Sequence, residues 1–202
     1  VRYALVGNGP SAAGCGAEID AHDRVVRFNA FPISQAADAG RRLDVWVWFG
    51  WLDYLARMGG APRGEYQVWM PLPLSCCGSG GVGDAARIIE QARGRRIRWV
   101  SEAWRRGEVS FLGGRDPSSG FTAVDMAIRL GGATEITLYG FDAVAPDRPG
   151  FHDARGPFPF IGTAHPWRAE KRAYADLAAR GLWMGERWPV RVRWPSRPEI
   201  ES

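Results

Sequence analysis

Three histidines, His22, His152 and His165, are the side chains of this 202-residue chain that ordinarily titrate near neutral pH. They are therefore the first candidates for proton transfer. His165 stands just before Pro166–Ala179, a run with helical periodicity, where Pro166 suits a first helical position. A neutral imidazole at the positive end of a helix suits a general base. Taken alone, a helix-entry histidine needs no chemistry. Glu170 follows five residues later and could orient the imidazole or stabilise its protonated form. That spacing does not ensure a shared helix face. His152 and Asp153 lie in a long segment rich in proline and glycine, and His22 precedes a strand, where a structural hydrogen bond is the plainer role.

Polar residues stand at the ends of apolar runs. Ala4–Val6 stops at Gly7-Asn8-Gly9-Pro10-Ser11, and Val25–Phe28 stops at Asn29. In an open α/β sheet, ligands bind just beyond the carboxyl ends of the strands. Gly7 and Gly9 let backbone N–H groups approach a ligand closely. Gly7, Asn8, Gly9, Ser11 and Asn29 thus outline a nucleotide or phosphate site. The glycines match neither a dinucleotide fingerprint nor a Walker loop. The same turn also reads as a plain strand-to-helix connection capped by Ser11. Ser118, Ser119 and Gly120 open an amphipathic helix, whose free N–H groups and dipole favour an anion. Asp142 ends another apolar run, where it could touch a nucleotide or cap the next segment.

The elements that must position these residues alternate. Strands are expected at Tyr3–Val6, Val25–Phe28, Asp44–Phe49, Tyr66–Met70, Ile97–Val100, Glu135–Tyr139 and Val190–Trp194. Most are continuous apolar runs, as strands covered on both faces require. Helices are expected at Trp51–Met58, Gly83–Ala92, Gly120–Leu130 and Pro166–Ala179. In the third, Ala123, Met126, Ala127 and Leu130 form one apolar stripe, and Ser119 is placed to cap it. This alternation predicts a single Rossmann-like α/β domain over residues 1–202, with a doubly wound, mainly parallel sheet and helices on both faces. Pro71–Val82 reads as a loop. Ala143–Ala164 lacks periodicity, and a structureless stretch of that length is often a lid.

With 46% hydrophobic and 24% charged residues, the chain has a soluble globular profile, and no apolar run reaches membrane-spanning length. No signal peptide is visible, since Val1-Arg2-Tyr3 enters a strand at once. The net charge of +4 suits an anionic ligand and leaves peripheral membrane association open. Arg93, Arg95, Arg96 and Arg98 read as a solvated connection, because no stacking platform accompanies them, so no nucleic-acid partner is expected. Cys15, Cys76 and Cys77 have no metal-ligand spacing. Among the tryptophans, Trp46, Trp48, Trp69, Trp99 and Trp194 fall in strands as core. Trp51, Trp104, Trp167, Trp183 and Trp188 fall outside them, with sugar stacking as an alternative to packing.

Several of these segments together resemble the motifs of sialyltransferases. Gly7-Asn8, Glu18-Ile19-Asp20-Ala21-His22-Asp23, Arg27-Phe28-Asn29 and Pro32 resemble the long motif, in a form closer to the small bacterial enzymes. Pro117-Ser118-Ser119-Gly120 with Leu138-Tyr139-Gly140-Phe141-Asp142 resembles the short motif, and His165 with Glu170 fits the final His-x4-Glu. The resemblance implies a GT-A-like variant of the fold and inverting transfer of sialic acid from CMP-sialic acid to a glycan or glycolipid hydroxyl. It implies His165 as catalytic base and His152 at the leaving phosphate. Gly7, Asn8, Gly9, Ser11, Asn29, Ser118, Ser119, Gly120 and Asp142 would bind the donor. The absence of an Asp-x-Asp pair fits a monophosphate donor and implies neither metal nor cofactor. Animal sialyltransferases join the long and short motifs by a disulfide, but no cysteine lies near Tyr3 or Ala133 here. That departure implies a reducing compartment, hence cytoplasm, with the inner-membrane surface as a further expectation. A CMP-Kdo or other CMP-ulosonic acid transferase and a non-catalytic nucleotide-binding module are the alternatives.

Overall fold

Seven short runs form the strands of one sheet, buried and mostly apolar in β1 (Arg2–Val6), β2 (Arg24–Phe28), β3 (Val45–Val47), β4 (Gln67–Met70) and β6 (Glu135–Tyr139), and more exposed in the two edge strands β5 (Ile97–Trp99) and, later in the chain, β9 (Arg191–Arg193). The coordinates are a computed structural model and describe residues 1–29, 31, 39–49, 61–73, 94–142 and 165–194. The order is β5-β4-β3-β2-β1-β6-β9, and all six pairings are parallel. All seven expected strands are present. Outside the sheet, β7 (Leu182–Trp183) and β8 (Glu186–Arg187) make a small antiparallel hairpin.

Four helices accompany the strands among the described residues: α1 (Gly16–Asp20), α2 (Glu102–Phe111), α3 (Ser119–Arg129) and α4 (Trp167–Arg180). One sheet face, with Leu5, Val26, Phe28, Val47 and Leu138, packs on Phe121, Val124 and Met126 of α3 and on Tyr174 and Leu177 of α4. The opposite face, with Ala4, Val6, Val25 and Tyr139, packs on Ala12, Cys15 and Ile19 around α1. Full burial of one Leu or Ile stabilises by roughly 1.5–3 kcal/mol, so both faces contribute to the fold. Trp46 and Trp48 stack on the α1 side at 4.9 Å.

The structure corrects several expectations. The cap of α3 is Ser118, not Ser119: its Oγ accepts the Phe121 N–H at 3.1 Å. Pro166 is the N-cap of α4 rather than its first residue. Helix α2 was not expected, because its inward positions include charged Arg105 and Glu108 and no apolar stripe marks it. Trp183 lies in β7 and is fully buried. The expected helices Trp51–Met58 and Gly83–Ala92, the lid Ala143–Ala164, His152, Asp153, Pro32, Cys76, Cys77 and Trp51 lie outside the described residues. No described helix is long and apolar enough to cross a membrane.

Candidate active site

The strand order turns at β1. The chain leaving β1 continues to β2 on one side, while β6 arrives on the other. In parallel sheets such a reversal opens a crevice at the carboxyl edge. Here that edge is built by Gly7–Ser11 after β1, Gly140–Asp142 after β6 and Asn29 after β2.

The β1 and β6 turns are clipped to each other. Gly7 N–H donates to Tyr139 O at 2.8 Å, and Gly9 N–H to Gly140 O at 3.1 Å. Gly140 N–H donates to Ser11 Oγ at 3.1 Å, and Ser11 N–H to Asp142 Oδ2 at 3.1 Å. The backbones meet so closely that a Cβ on Gly7 would lie 2.6 Å from Gly140 O, and one on Gly9 2.1 Å from Asp142 Oδ2. These glycines therefore serve chain-to-chain packing. Their N–H groups are already used, which corrects the expectation that Gly7 and Gly9 offer them to a ligand. Asp142 is buried and braces the turn through Ser11.

The two asparagines differ. Asn8 is exposed, and its side-chain amide reaches toward Phe28 O at 3.5 Å. Asn29 adopts φ +48°, a left-handed conformation that asparagine tolerates well. Its Oδ1 accepts the Phe49 N–H at 3.1 Å, and its carbonyl accepts Trp46 Nε1–H at 2.9 Å. Asn29 thus organises the β2–β3 edge through its own side chain and backbone.

A second clip joins the segment before α3 to the start of α4. His165 is half-buried, and its Nδ1 lies 3.2 Å from Asp116 O. A carbonyl can only accept, so Nδ1 carries the proton and Nε2 keeps its lone pair in the neutral ring. The Trp167 ring packs edge-on at 5.2 Å. Glu170 is fully buried and takes both of its hydrogen bonds from Ser118: from N–H to Oε1 and from Oγ–H to Oε2, each 2.7 Å. The expected contact with His165 is absent from the hydrogen bonds of Glu170. Its carboxyl sits instead at the first turn of α3, where it occupies the Ser118 N–H that an anionic ligand was expected to share. Burial raises the Glu170 pKa to about 7, against the pull of the Ser118 hydrogen bonds and of Arg105.

Buried charge continues behind this clip. Arg105 donates to Asp116 Oδ1 at 3.0 Å and lies 3.7 Å from Glu108 Oε2. Glu108 accepts the Thr122 hydroxyl at 2.9 Å, while its Oε1 is buried without a partner among the described residues. Burial, reinforced by Asp125, lifts the Glu108 pKa to about 8. Asp125 accepts indole N–H bonds from Trp104 and Trp183, which ties these two rings into packing rather than a sugar platform. His22 has the structural role expected: its ring nitrogens lie 2.9 Å from Glu18 O and 3.1 Å from Thr137 Oγ1.

Phe141 joins the pieces. It meets Phe28 edge-on at 5.7 Å and Tyr174 of α4 at 6.2 Å, and a Cβ on Gly120 would lie 2.8 Å from its ring. The ends of β2 and β6 and the starts of α3 and α4 therefore share one neighbourhood. Ser119 and Gly120 are half-buried there. Phe141, Arg105 and Asp116 escaped the choice of site residues because each acts through partners remote in sequence.

The architecture has solved counterparts. A mammalian sialyltransferase in complex with Gal-beta-1-3GalNAc-ortho-nitrophenol aligns over 95% of this chain and 68% of its own, with a TM-score of 0.60 and 20% identity. The fold is shared with sialyltransferases. An alpha-2,3-sialyltransferase from Campylobacter jejuni aligns over 96% of this chain and 74% of its own, at TM-score 0.55 and 14% identity. The Campylobacter jejuni sialyltransferase CstII, in complex with the substrate analogue CMP-3FNeuAc, covers 87% of this chain and 76% of its own, at TM-score 0.50 and 14% identity. No protein-family model matches the chain, and no curated protein matches it by sequence. The likeness extends over nearly the whole chain, including its parallel sheet.

Proposed function

We propose that the chain is a sialyltransferase-type glycosyltransferase that moves sialic acid from CMP-sialic acid to a glycan hydroxyl with inversion. The observation that carries this reading is His165, which stands at the entry to α4 with Nδ1 held by Asp116 O, so that in the neutral ring Nε2 is the basic nitrogen. The acceptor oxygen attacks the anomeric carbon while Nε2 takes its proton. The bond from that carbon to the phosphate oxygen breaks, and its electron pair leaves with CMP. Support comes from two structures of the same fold, one with a CMP-sugar analogue and one with a glycan acceptor analogue. Asn8, Asn29, Ser119 and Gly120 are the donor contacts, with Gly7, Gly9, Ser11, Ser118, Asp142 and Glu170 as the frame that holds them. His152 is assigned the leaving phosphate from the sequence resemblance. The missing Asp-x-Asp pair suits a metal-independent reaction, which should continue in EDTA.

Incubation with a panel of CMP-activated acidic sugars and glycan acceptors, followed by mass spectrometry, tests the proposal. CMP-sialic acid should be consumed, and His165→Ala should lower transfer by about 10²–10⁴ while leaving CMP affinity intact. His152→Ala should lower acceptor-independent donor hydrolysis as well as transfer. Near-normal transfer by folded His165→Ala protein would remove the base from the mechanism.

A further inference from the structure

Arg27 on β2 is a buried cation with no ion pair to an acidic side chain among the described residues. It is 5% exposed, yet its guanidinium bonds only to backbone: Nε–H to Arg42 O at 2.9 Å and Nη2–H to Ala39 O at 2.7 Å. The Nη1 group makes no hydrogen bond to any described residue. Burial lowers the pKa of Arg27, and Asp20 only partly opposes this. Removing a cation from water is costly unless an anion or several hydrogen bonds replace the lost solvent.

The same side chain lines a cleft of about 120 Å³ with Gly7, Asn8, Gly9, Ala13 and Phe31. Arg27 is the one charged side chain among the described residues lining it. The cleft opens beside the turn at the carboxyl end of β1, and Val6, the last residue of β1, is the register partner of Arg27. A guanidinium fixed on two sides by carbonyls is pre-oriented and presents its remaining N–H groups in one plane, the geometry that phosphate oxygens accept.

We propose that Arg27 is a further phosphate contact of the nucleotide, beside the one assigned to His152, reaching it through Nη1 from the cleft beside Gly7–Asn8–Gly9. This rests on the donor reading above for the identity of the nucleotide, but not for the presence of an oxyanion site. The carbonyls of Ala39 and Arg42 hold the guanidinium in place, and the bound phosphate supplies a negative charge that no described side chain brings within ion-pair distance.

Calorimetric titration at fixed ionic strength tests the assignment, with cytidine, CMP, inorganic phosphate and free sialic acid as probes. Wild-type protein should bind CMP at least about ten-fold more tightly than cytidine. In Arg27→Lys and Arg27→Met that preference should fall by about ten-fold or more, with cytidine affinity held within about two-fold. Ala13→Asp is the companion variant, because it leaves the Arg27 brace intact and puts a carboxylate on the exposed rim of the cleft. It should weaken CMP and spare cytidine, and it keeps the test decisive where an Arg27 variant does not fold. An unchanged CMP-to-cytidine ratio in a folded Arg27 variant, or in Ala13→Asp, overturns the proposal. Binding of free sialic acid that depends on Arg27, without any effect on CMP, also overturns it and assigns the cleft to the sugar carboxylate. If no cytidine compound binds the wild type, while inorganic phosphate binds it and not Arg27→Lys, the donor reading falls and the oxyanion site stands.

Discussion

The contact between the β1 and β6 turns and the contact between the Asp116–Ser118 segment and α4 do the same job with different materials. Each fixes two remote parts of the chain at the carboxyl edge of the sheet. The first is mostly backbone: glycines at 7, 9 and 140 let two turns touch, and peptide N–H groups find carbonyl and hydroxyl oxygens. The second is made by side chains that titrate. Buried Glu170 holds Ser118, and Arg105 holds Asp116 beside buried Glu108. A backbone clip has no freedom to adjust but is indifferent to protons. A side-chain clip tolerates substitution better, yet its strength depends on ionisation.

The largest effect should come from breaking the backbone clip by volume. Gly140 has φ +67°, and a Cβ there would lie 2.5 Å from Gly7 O. Gly140→Ala therefore combines left-handed strain, about 1–2 kcal/mol, with overpacking against backbone, about 1–3 kcal/mol. In a chain of this length the melting temperature should drop by on the order of 10 °C. Thermal unfolding followed by circular dichroism reads this directly. A loss below one degree would mean that the two turns can separate at little cost.

The contrast also explains what could be read from the residues in order. A strand buried on both faces announces itself locally, as β1, β2, β3, β4 and β6 do; the more exposed edge strands β5 and β9 were expected too, and so were α3 and α4. Glycines beside polar residues at strand ends marked the first clip, although their use was misjudged: Gly7 and Gly9 spend their N–H groups on Tyr139 and Gly140. The second clip was far less legible. Glu170 and Ser118 stand 52 positions apart, and neither residue type predicts the other. Helix α2 was hidden for a related reason, because Arg105 and Glu108 point inward and erase the apolar period. The β7–β8 hairpin turns at Met184-Gly185, both with positive φ, and methionine gives no turn signal there.

Next in size is removal of the carboxyl at the second clip. Glu170→Ala strands the buried Ser118 N–H and hydroxyl, which should cost about 2–3 kcal/mol. Glu170→Gln should cost less, since the amide oxygen can still accept the Ser118 N–H. The two glutamates also set a pH dependence. Their ordinary value is 4.5, and burial raises Glu170 to about 7 and Glu108 to about 8. Above 4.5 the unfolded chain releases protons that the folded protein still holds, so stability is fully present below that pH. It is lost as pH rises through the folded values, about 7 and then about 8. Urea unfolding across that window should show decreasing stability in the wild type and a flatter curve in Glu170→Gln with Glu108→Gln. Equal slopes would mean that both carboxyls are ionised in the fold throughout.

The smallest effect sharpens the comparison from the other side. Ser11 Oγ is the acceptor for the buried Gly140 N–H, so Ser11→Ala removes one neutral hydrogen bond from the backbone clip. The remaining bonds, Gly7 N–H to Tyr139 O, Gly9 N–H to Gly140 O and Ser11 N–H to Asp142, keep the turns in register. The expected loss is about 1–2 kcal/mol, because the buried Gly140 N–H is left without its acceptor. No titrating group is removed, so the loss should be the same near pH 5 and near pH 8, where the glutamate variants should differ most. Urea unfolding of Ser11→Ala at both pH values measures it. A penalty that grows toward one end of that range would show that the backbone clip also feels ionisation, through Asp142, and the division between the two clips would not hold.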